Sequence, residues 1–176
     1  VVAYQGGNMP RSEQGVLADR YKVIPRSLIF IFRGEEVLLI RGAPNKRLWA
    51  NRYNGIGGHI EYGEDILCAA QRELFEETGL NGIIPWLCGV ILVDASPQTG
   101  ICIFIFKGEY DQGEVRDSQE GKSEWVPGNR ISEYALVEDL YTLLPRVIST
   151  SPGDAPFSGR YFYDDEDKLQ IQFFGS

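Results

Sequence analysis

The sequence predicts a mixed α/β chain with one small sheet system and two principal helices. Three observations carry this. Short runs rich in β-branched and aromatic residues recur, such as Ser27-Leu-Ile-Phe-Ile-Phe32 and Ile101-Cys-Ile-Phe-Ile-Phe106. Two stretches, Ile66 to Phe75 and Leu136 to Val147, carry apolar residues at helical spacing. Clusters of Gly, Pro, Asn and Ser separate these segments. The 176 residues suit one domain with its own core. Residues 1–22 are polar and Gly-containing and read as an extension or first edge element. Residues 23–176 read as the domain.

Ser27 to Phe32 and Val37 to Ile40 form a hairpin signal around Gly34-Glu35. Gly42 to Asn54 mixes Gly, Pro, Asn and Lys and reads as a loop with Trp49 packed in it. Gly55 to Glu61 is too Gly-rich for helix and reads as extended. A helix follows, with Glu64-Asp65 at its N-terminus, where the dipole favours acid, and Gly79 just past its end. Its apolar positions are Ile66, Ala69, Ala70, Leu74 and Phe75. Leu87 to Ala95 and Gly100 to Tyr110 are strands, and 111–123 is a charged loop. Glu124-Trp125-Val126 is a short strand. A second helix is expected from Ser132 to about Ile148, with Leu136, Leu140, Leu143, Leu144 and Val147 on one face. A terminal hairpin, Gly159 to Tyr163 and Leu169 to Phe173, turns at 164–167.

Composition removes several classes of function. The net charge of −8 argues against a duplex nucleic acid partner, since neutralising phosphates takes clustered Lys and Arg. An acidic protein binds a polyphosphate best through bridging metal ions. No apolar run reaches the roughly 18 residues of a membrane span. The first residues lack a basic segment and an apolar stretch, so no signal peptide is expected. Cys68, Cys88 and Cys102 sit among apolar residues without metal-ligand spacing, as expected of reduced core thiols in a cytoplasmic protein. One histidine, His59, excludes a His-rich metal centre.

The informative stretch is Gly58-His-Ile-Glu-Tyr-Gly-Glu64 followed by Arg72-Glu-Leu-Phe-Glu-Glu-Thr-Gly-Leu80. Residues three and four apart share a helix face, so Glu73, Glu76 and Glu77 project together with Arg72 beside Glu76. Mutually repelling carboxylates destabilise a helix, and a hard divalent cation such as Mg²⁺ reverses that cost. Arg72 can hold a carboxylate through its fork of donors. Gly57-Gly58 allows a close backbone approach, and a carbonyl there could add a ligand.

This spacing matches without a gap the pattern G-x5-E-x7-R-E-U-x-E-E-x-G-U, where U is a bulky aliphatic residue. A chance match is on the order of one in 10⁷. The chain thereby resembles the Nudix hydrolases from about Tyr21 to Phe173. The resemblance implies an α/β/α sandwich around a central mixed β-sheet, with a catalytic loop–helix–loop. It implies hydrolysis of a nucleoside diphosphate linked to another moiety, with Mg²⁺ (or Mn²⁺) as cofactor. Glu73, Glu76 and Glu77 would be metal ligands together with the Gly57 carbonyl. Glu64 and Arg72 would brace the loop–helix–loop. Glu120, in Asp117-Ser-Gln-Glu120, is the candidate for a further acid outside the motif, as ligand or base. The proton of the attacking water would pass to Glu73, Glu77 or Glu120.

Tyr53-Asn54-Gly-Ile-Gly-Gly58 is similar to the segment before the motif in the MutT-type branch, which removes oxidised nucleoside triphosphates. That resemblance makes a nucleoside triphosphate, cut to monophosphate and pyrophosphate, the leading substrate. Asn54 and Asp139 become candidates for base contacts, and Tyr53 and Tyr141 for stacking. Leu136 stands where the relatives' Trp-Pro-Asp-Asp carries its Trp. The alternatives are a nucleotide-sugar (ADP-ribose) or dinucleotide pyrophosphatase, and a non-catalytic nucleotide sensor. The expected partner is a small nucleotide, with no duplex nucleic acid and no membrane, and the protein a monomer or homodimer.

Overall fold

β1 (Lys22–Arg33) turns back through Gly34 into β2 (Glu36–Gly42), and the two pair only from Ile31↔Leu38 to Arg33↔Glu36. Beyond Leu38 they diverge. This fork is the feature that places the site. A computed structural model describes residues 11–174. Residues 1–10 of the expected extension lie outside them, and Lys22 already belongs to β1.

Two short pieces fill the fork. β3 (Tyr53–Asn54) pairs with the far end of β2. Ile56 to Ile60 runs along β1: Ser27 N–H donates to the Gly58 carbonyl at 2.9 Å, and Ile60 N–H donates to that of Pro25 at 3.1 Å. Gly57 has φ +154°, and a Cβ there would lie 2.1 Å from the Ser27 carbonyl oxygen, so glycine is required at this contact.

The remaining strands are β4 (Trp86–Val93), β5 (Thr99–Glu109), β6 (Gly121–Pro127), β7 (Phe157–Tyr163) and β8 (Leu169–Phe174). They complete a mixed sheet of order β3-β2-β1-β5-β4-β7-β8, with β6 along the other edge of β2. β1 pairs parallel with β5, and β4 parallel with β7; the other pairs are antiparallel. Both faces of the central strands are covered, and their side chains alternate with period two. Ile29, Ile31, Leu38 and Ile40 pack with Ala70 and Leu74 of α1 (Ile66–Thr78). Phe30, Phe32, Val37 and Leu39 pack with Leu140, Leu143, Leu144 and Val147 of α2 (Leu140–Ile148). The result is the expected α/β/α sandwich.

α1 begins where the sequence marks it. The Asp65 carboxylate caps the amides of Leu67 and Cys68, and Gly79 at φ +76° donates to the Phe75 carbonyl at 2.8 Å. Its buried face differs from the expected one. Phe75 is 54% exposed, whereas Glu77 and Thr78 are buried. Cys68 is exposed as well, while Cys88 and Cys102 are core thiols.

α2 departs further. Gly128–Glu133 is a 3-10 segment, and residues 134–139 are not α-helical. Tyr53 N–H donates to the Ala135 carbonyl and Val137 N–H to that of Tyr53, each at 2.9 Å. These bonds to β3 use backbone groups that a continuous helix would have needed. Leu136 is buried as expected, but from an extended segment. Lys107 closes the other end of α2, donating from its buried ammonium to the carbonyls of Val147, Ile148 and Thr150.

The burial of α1 gives a paired test. Leu74→Ala should cost about 2–5 kcal/mol in urea unfolding. Phe75→Ala, although the larger truncation, should cost less than about 1 kcal/mol.

Candidate active site

Arg72 is where α1 and the loop before it are joined. Its Nε and Nη2 donate to the two Glu64 oxygens at 2.7 and 2.9 Å. Nη2 also donates to the His59 carbonyl at 3.0 Å. Nη1 donates to Glu73 at 2.8 Å and Glu76 at 3.2 Å. Glu64 in turn accepts from the Glu61 amide at 3.0 Å, which closes the turn ahead of the helix. The Arg72 guanidinium and that amide together hold the Glu64 carboxyl down at about 2. Arg72 thus bonds both Glu64 and the loop carbonyl of His59.

Glu73, Glu76 and Glu77 project from one face of α1 into a cleft of about 670 Å³. Gly58 makes room for the first of them: a Cβ there would lie 2.3 Å from a Glu73 oxygen. Glu77 is 9% exposed, and Gly57 N–H reaches it at 3.4 Å, a long bond for a carboxylate. Burial, then the charge of Glu73 and that of Glu120, push its carboxyl up to about 8. Glu120 comes from the turn before β6, lines the same cleft and pairs with Lys46.

This donor set fits a hard cation. It is all oxygen, its carboxylates crowd one another, and Glu77 is buried without a cationic partner in contact among the described residues. The carbonyls of Ile56 and Gly58 are taken by β1, while that of Gly57 accepts no hydrogen bond among the described residues. As the side chains stand, no three acidic groups among the described residues converge into a chelate. Glu73 and Glu76 turn to Arg72, and Glu120 turns to Lys46. The protein's own cations occupy the carboxylates that an external one would need.

The same cleft is lined by Asn54 and Asp139. The Asn54 oxygen accepts from the Gly55 amide at 2.8 Å. Burial raises the Asp139 carboxyl above its ordinary range. The β3–Ala135/Val137 bonds bring these two residues to one wall. The expected stacking residues are elsewhere. Tyr53 is 8% exposed in the core and donates its hydroxyl to Glu124 at 2.7 Å. Leu136 is fully buried and offers the cleft no surface. Tyr141 donates to the Tyr134 carbonyl at 2.8 Å, away from the cleft. None of the three is among the residues that line the cleft.

Other residues of the cleft wall escaped the sequence reading. Arg26, Lys46 and Arg52 add positive charge. Trp49, expected to be packed in its loop, is 49% exposed there. The loop itself was the available signal, because rigid scaffolds commonly present binding residues on loops. Nothing in the spacing of the basic residues marks them.

The NUDIX domain family model matches residues 23–147. The chain belongs to the Nudix family, and it is a Nudix hydrolase. Within the family its similarity is of the MutT type. It is 28% identical over 145 residues to the oxidized purine nucleoside triphosphate hydrolase of Mus musculus, covering 81% of this chain and 88% of that protein. It is 32% identical over 106 residues to the NAD-capped RNA hydrolase NudC of Actinobacillus succinogenes, covering 54% of this chain but 36% of that protein. The fold matches the crystal structure of the mutator MutT protein from Bacillus halodurans, with a TM-score of 0.71 and 23% identity over 86% of this chain and 97% of that one. Among the described residues no helix is long and apolar enough to cross a membrane.

Glu77 gives a stability test on metal-free protein. Its folded pKa of about 8 lies above its unfolded value, so the native state binds the extra proton between them. The Glu77 contribution to stability should therefore fall as pH rises from about 4.5 to 8. In EDTA, Glu77→Gln should melt higher than wild type at pH 8.5 and lose that advantage at pH 4.5. A variant that melts lower at both pH values contradicts this account of the buried carboxylate.

Proposed function

We propose that the protein hydrolyses a nucleoside triphosphate, including those with an oxidised purine base, to the nucleoside monophosphate and pyrophosphate. The observation that carries this reading is one cleft with two chemistries. Glu73, Glu76, Glu77 and Glu120 line it together with the base-edge candidates Asn54 and Asp139. The name of the mouse relative supports the substrate class.

Glu73, Glu76, Glu77 and the Gly57 carbonyl, with Glu120 from its loop, would hold Mg²⁺, which Mn²⁺ could replace. Bound there, the cation supplies charge neutralisation at the phosphate oxygens and a lowered pKa for a coordinated water. The residues of the chain do the rest. Arg72 and Glu64 fix the helix against the loop, so the carboxylates keep their spacing. Lys46, Arg52 and Arg26 offset phosphate charge along the cleft wall. One of Glu73, Glu77 and Glu120 takes the proton of the attacking water, which enters in line with the leaving phosphate. Asn54 and Asp139 offer hydrogen bonds to the base edge, a mode of reading that distinguishes bases by donor and acceptor pattern. The reduced thiols and small-molecule substrate suit a cytoplasmic housekeeping enzyme.

The test is a substrate panel with Mg²⁺ and identified products: ordinary and oxidised nucleoside triphosphates, ADP-ribose and NAD. The expected products are nucleoside monophosphate and pyrophosphate from a triphosphate. Glu77→Gln should lower kcat by at least about 100-fold with the fold retained by circular dichroism, the scale expected when charge stabilisation of the transition state is lost. Preferred turnover of ADP-ribose or NAD would move the assignment to the diphosphate-linked substrates. No turnover of any of them would favour a sensor.

A further inference from the structure

We infer that Trp49 is the platform on which the substrate's base stacks, so that the loop of residues 43–52, rather than the segment around Leu136, sets base affinity. This rests on the reading of the cleft as a nucleotide site. Among the described residues, Trp49 is the one Phe, Tyr or Trp that lines the cleft. It lines it together with Asn54, Val137 and Asp139, and is shared with a second hollow bounded by Asp139 and the β7–β8 turn. Trp49 is half exposed. Trp125, by contrast, is covered by Tyr110 and Arg33, and Trp86 packs on the core.

The backbone holds Trp49 there at a cost. Its φ is +59°, a left-handed conformation that a bulky residue seldom adopts. Three bonds fix it: Arg52 N–H to the Trp49 carbonyl at 3.0 Å, Gly42 N–H to that of Arg52 at 2.9 Å, and Asn51 N–H to that of Gly42 at 2.9 Å. A Cβ on Gly42 would lie 2.6 Å from the Trp49 oxygen, so β2 is shaped to receive this turn. Strain held by that many contacts, with an exposed indole at a cleft, is the pattern of a ligand contact. Every base has a π-face, so a Trp platform supplies affinity while the polar edge groups supply choice.

The test compares wild type, Trp49→Phe and Trp49→Ala with two probes in Mg²⁺: the α,β-methylene analogue of dGTP, and tripolyphosphate, which has no base. Trp49→Ala should weaken the analogue by about 5- to 150-fold, the range for loss of one base–aromatic stack. Tripolyphosphate affinity should be unchanged, and Trp49→Phe should keep most of the affinity for the analogue. The analogue, but not tripolyphosphate, should quench the fluorescence of the wild type, and Trp49→Ala should lose that response. In turnover, KM should rise more than kcat falls. If Trp49→Ala retains the wild-type preference for the analogue, or loses both probes equally, the inference is overturned while the nucleotide reading stands. If the wild type binds the analogue no better than tripolyphosphate, both are overturned.

Discussion

Arg72 gathers carboxylates that would otherwise push one another apart. Glu73, Glu76 and Glu77 share a helix face, and Glu64 approaches from the preceding turn. One planar guanidinium bonds three of these four and a loop carbonyl besides. A lysine could not do the same, because it offers a single point charge without the fixed fork. The site depends on this arrangement twice. It sets the spacing of the acids, and it leaves Glu77, the buried one, without a cation in contact among the described residues. That residual imbalance is what an external divalent cation can relieve.

The fork between β1 and β2 supplies the space in which this happens. Were the two strands paired along their whole length, the sheet would close over the cleft. Instead β3 takes one edge of the gap and Ile56 to Ile60 the other. Gly57 and Gly58 fit because they lack side chains: one lies against the Ser27 backbone, the other against the Glu73 carboxylate. The same fork lets the segment Ala135 to Val137 pair with Tyr53, which carries Asp139 to the wall shared with Asn54. Fold and site are thus one construction, with the metal-binding candidates and the base-contact candidates lining one cleft.

Much of this was legible in the sequence, for reasons that mark where legibility ends. α1 announced itself by its cap residues and by glutamates at three- and four-residue spacing, both local signals. Its braced loop was readable because Arg72 and Glu64 are close in the chain. Glu120 was a candidate only through the family resemblance, which implies a further acid outside the motif; its place among the cleft residues comes from the fold. Three other expectations met tertiary structure. Leu136 shares helical spacing with Leu140 and Leu143, yet its backbone pairs with β3. Phe75 fits the apolar period, but the sheet takes the neighbouring face of the helix. Tyr53 and Trp49 exchanged expected roles, the tyrosine entering the core and the tryptophan facing the cleft. No spacing rule distinguishes these pairs, because each outcome is fixed by a partner distant in sequence.

The central claim is that the carboxylate face of α1 is a divalent cation site serving a nucleotide in the same cleft. Anomalous diffraction from crystals soaked with Mn²⁺ and a non-hydrolysable nucleoside triphosphate tests it most directly. The expected result is Mn²⁺ density among Glu73, Glu76, Glu77 and the Gly57 carbonyl, with Glu73 or Glu76 swung away from Arg72 and phosphate oxygens completing the shell. Nucleotide bound with no Mn²⁺ at that helix face, or Mn²⁺ held only at other acids, would contradict it.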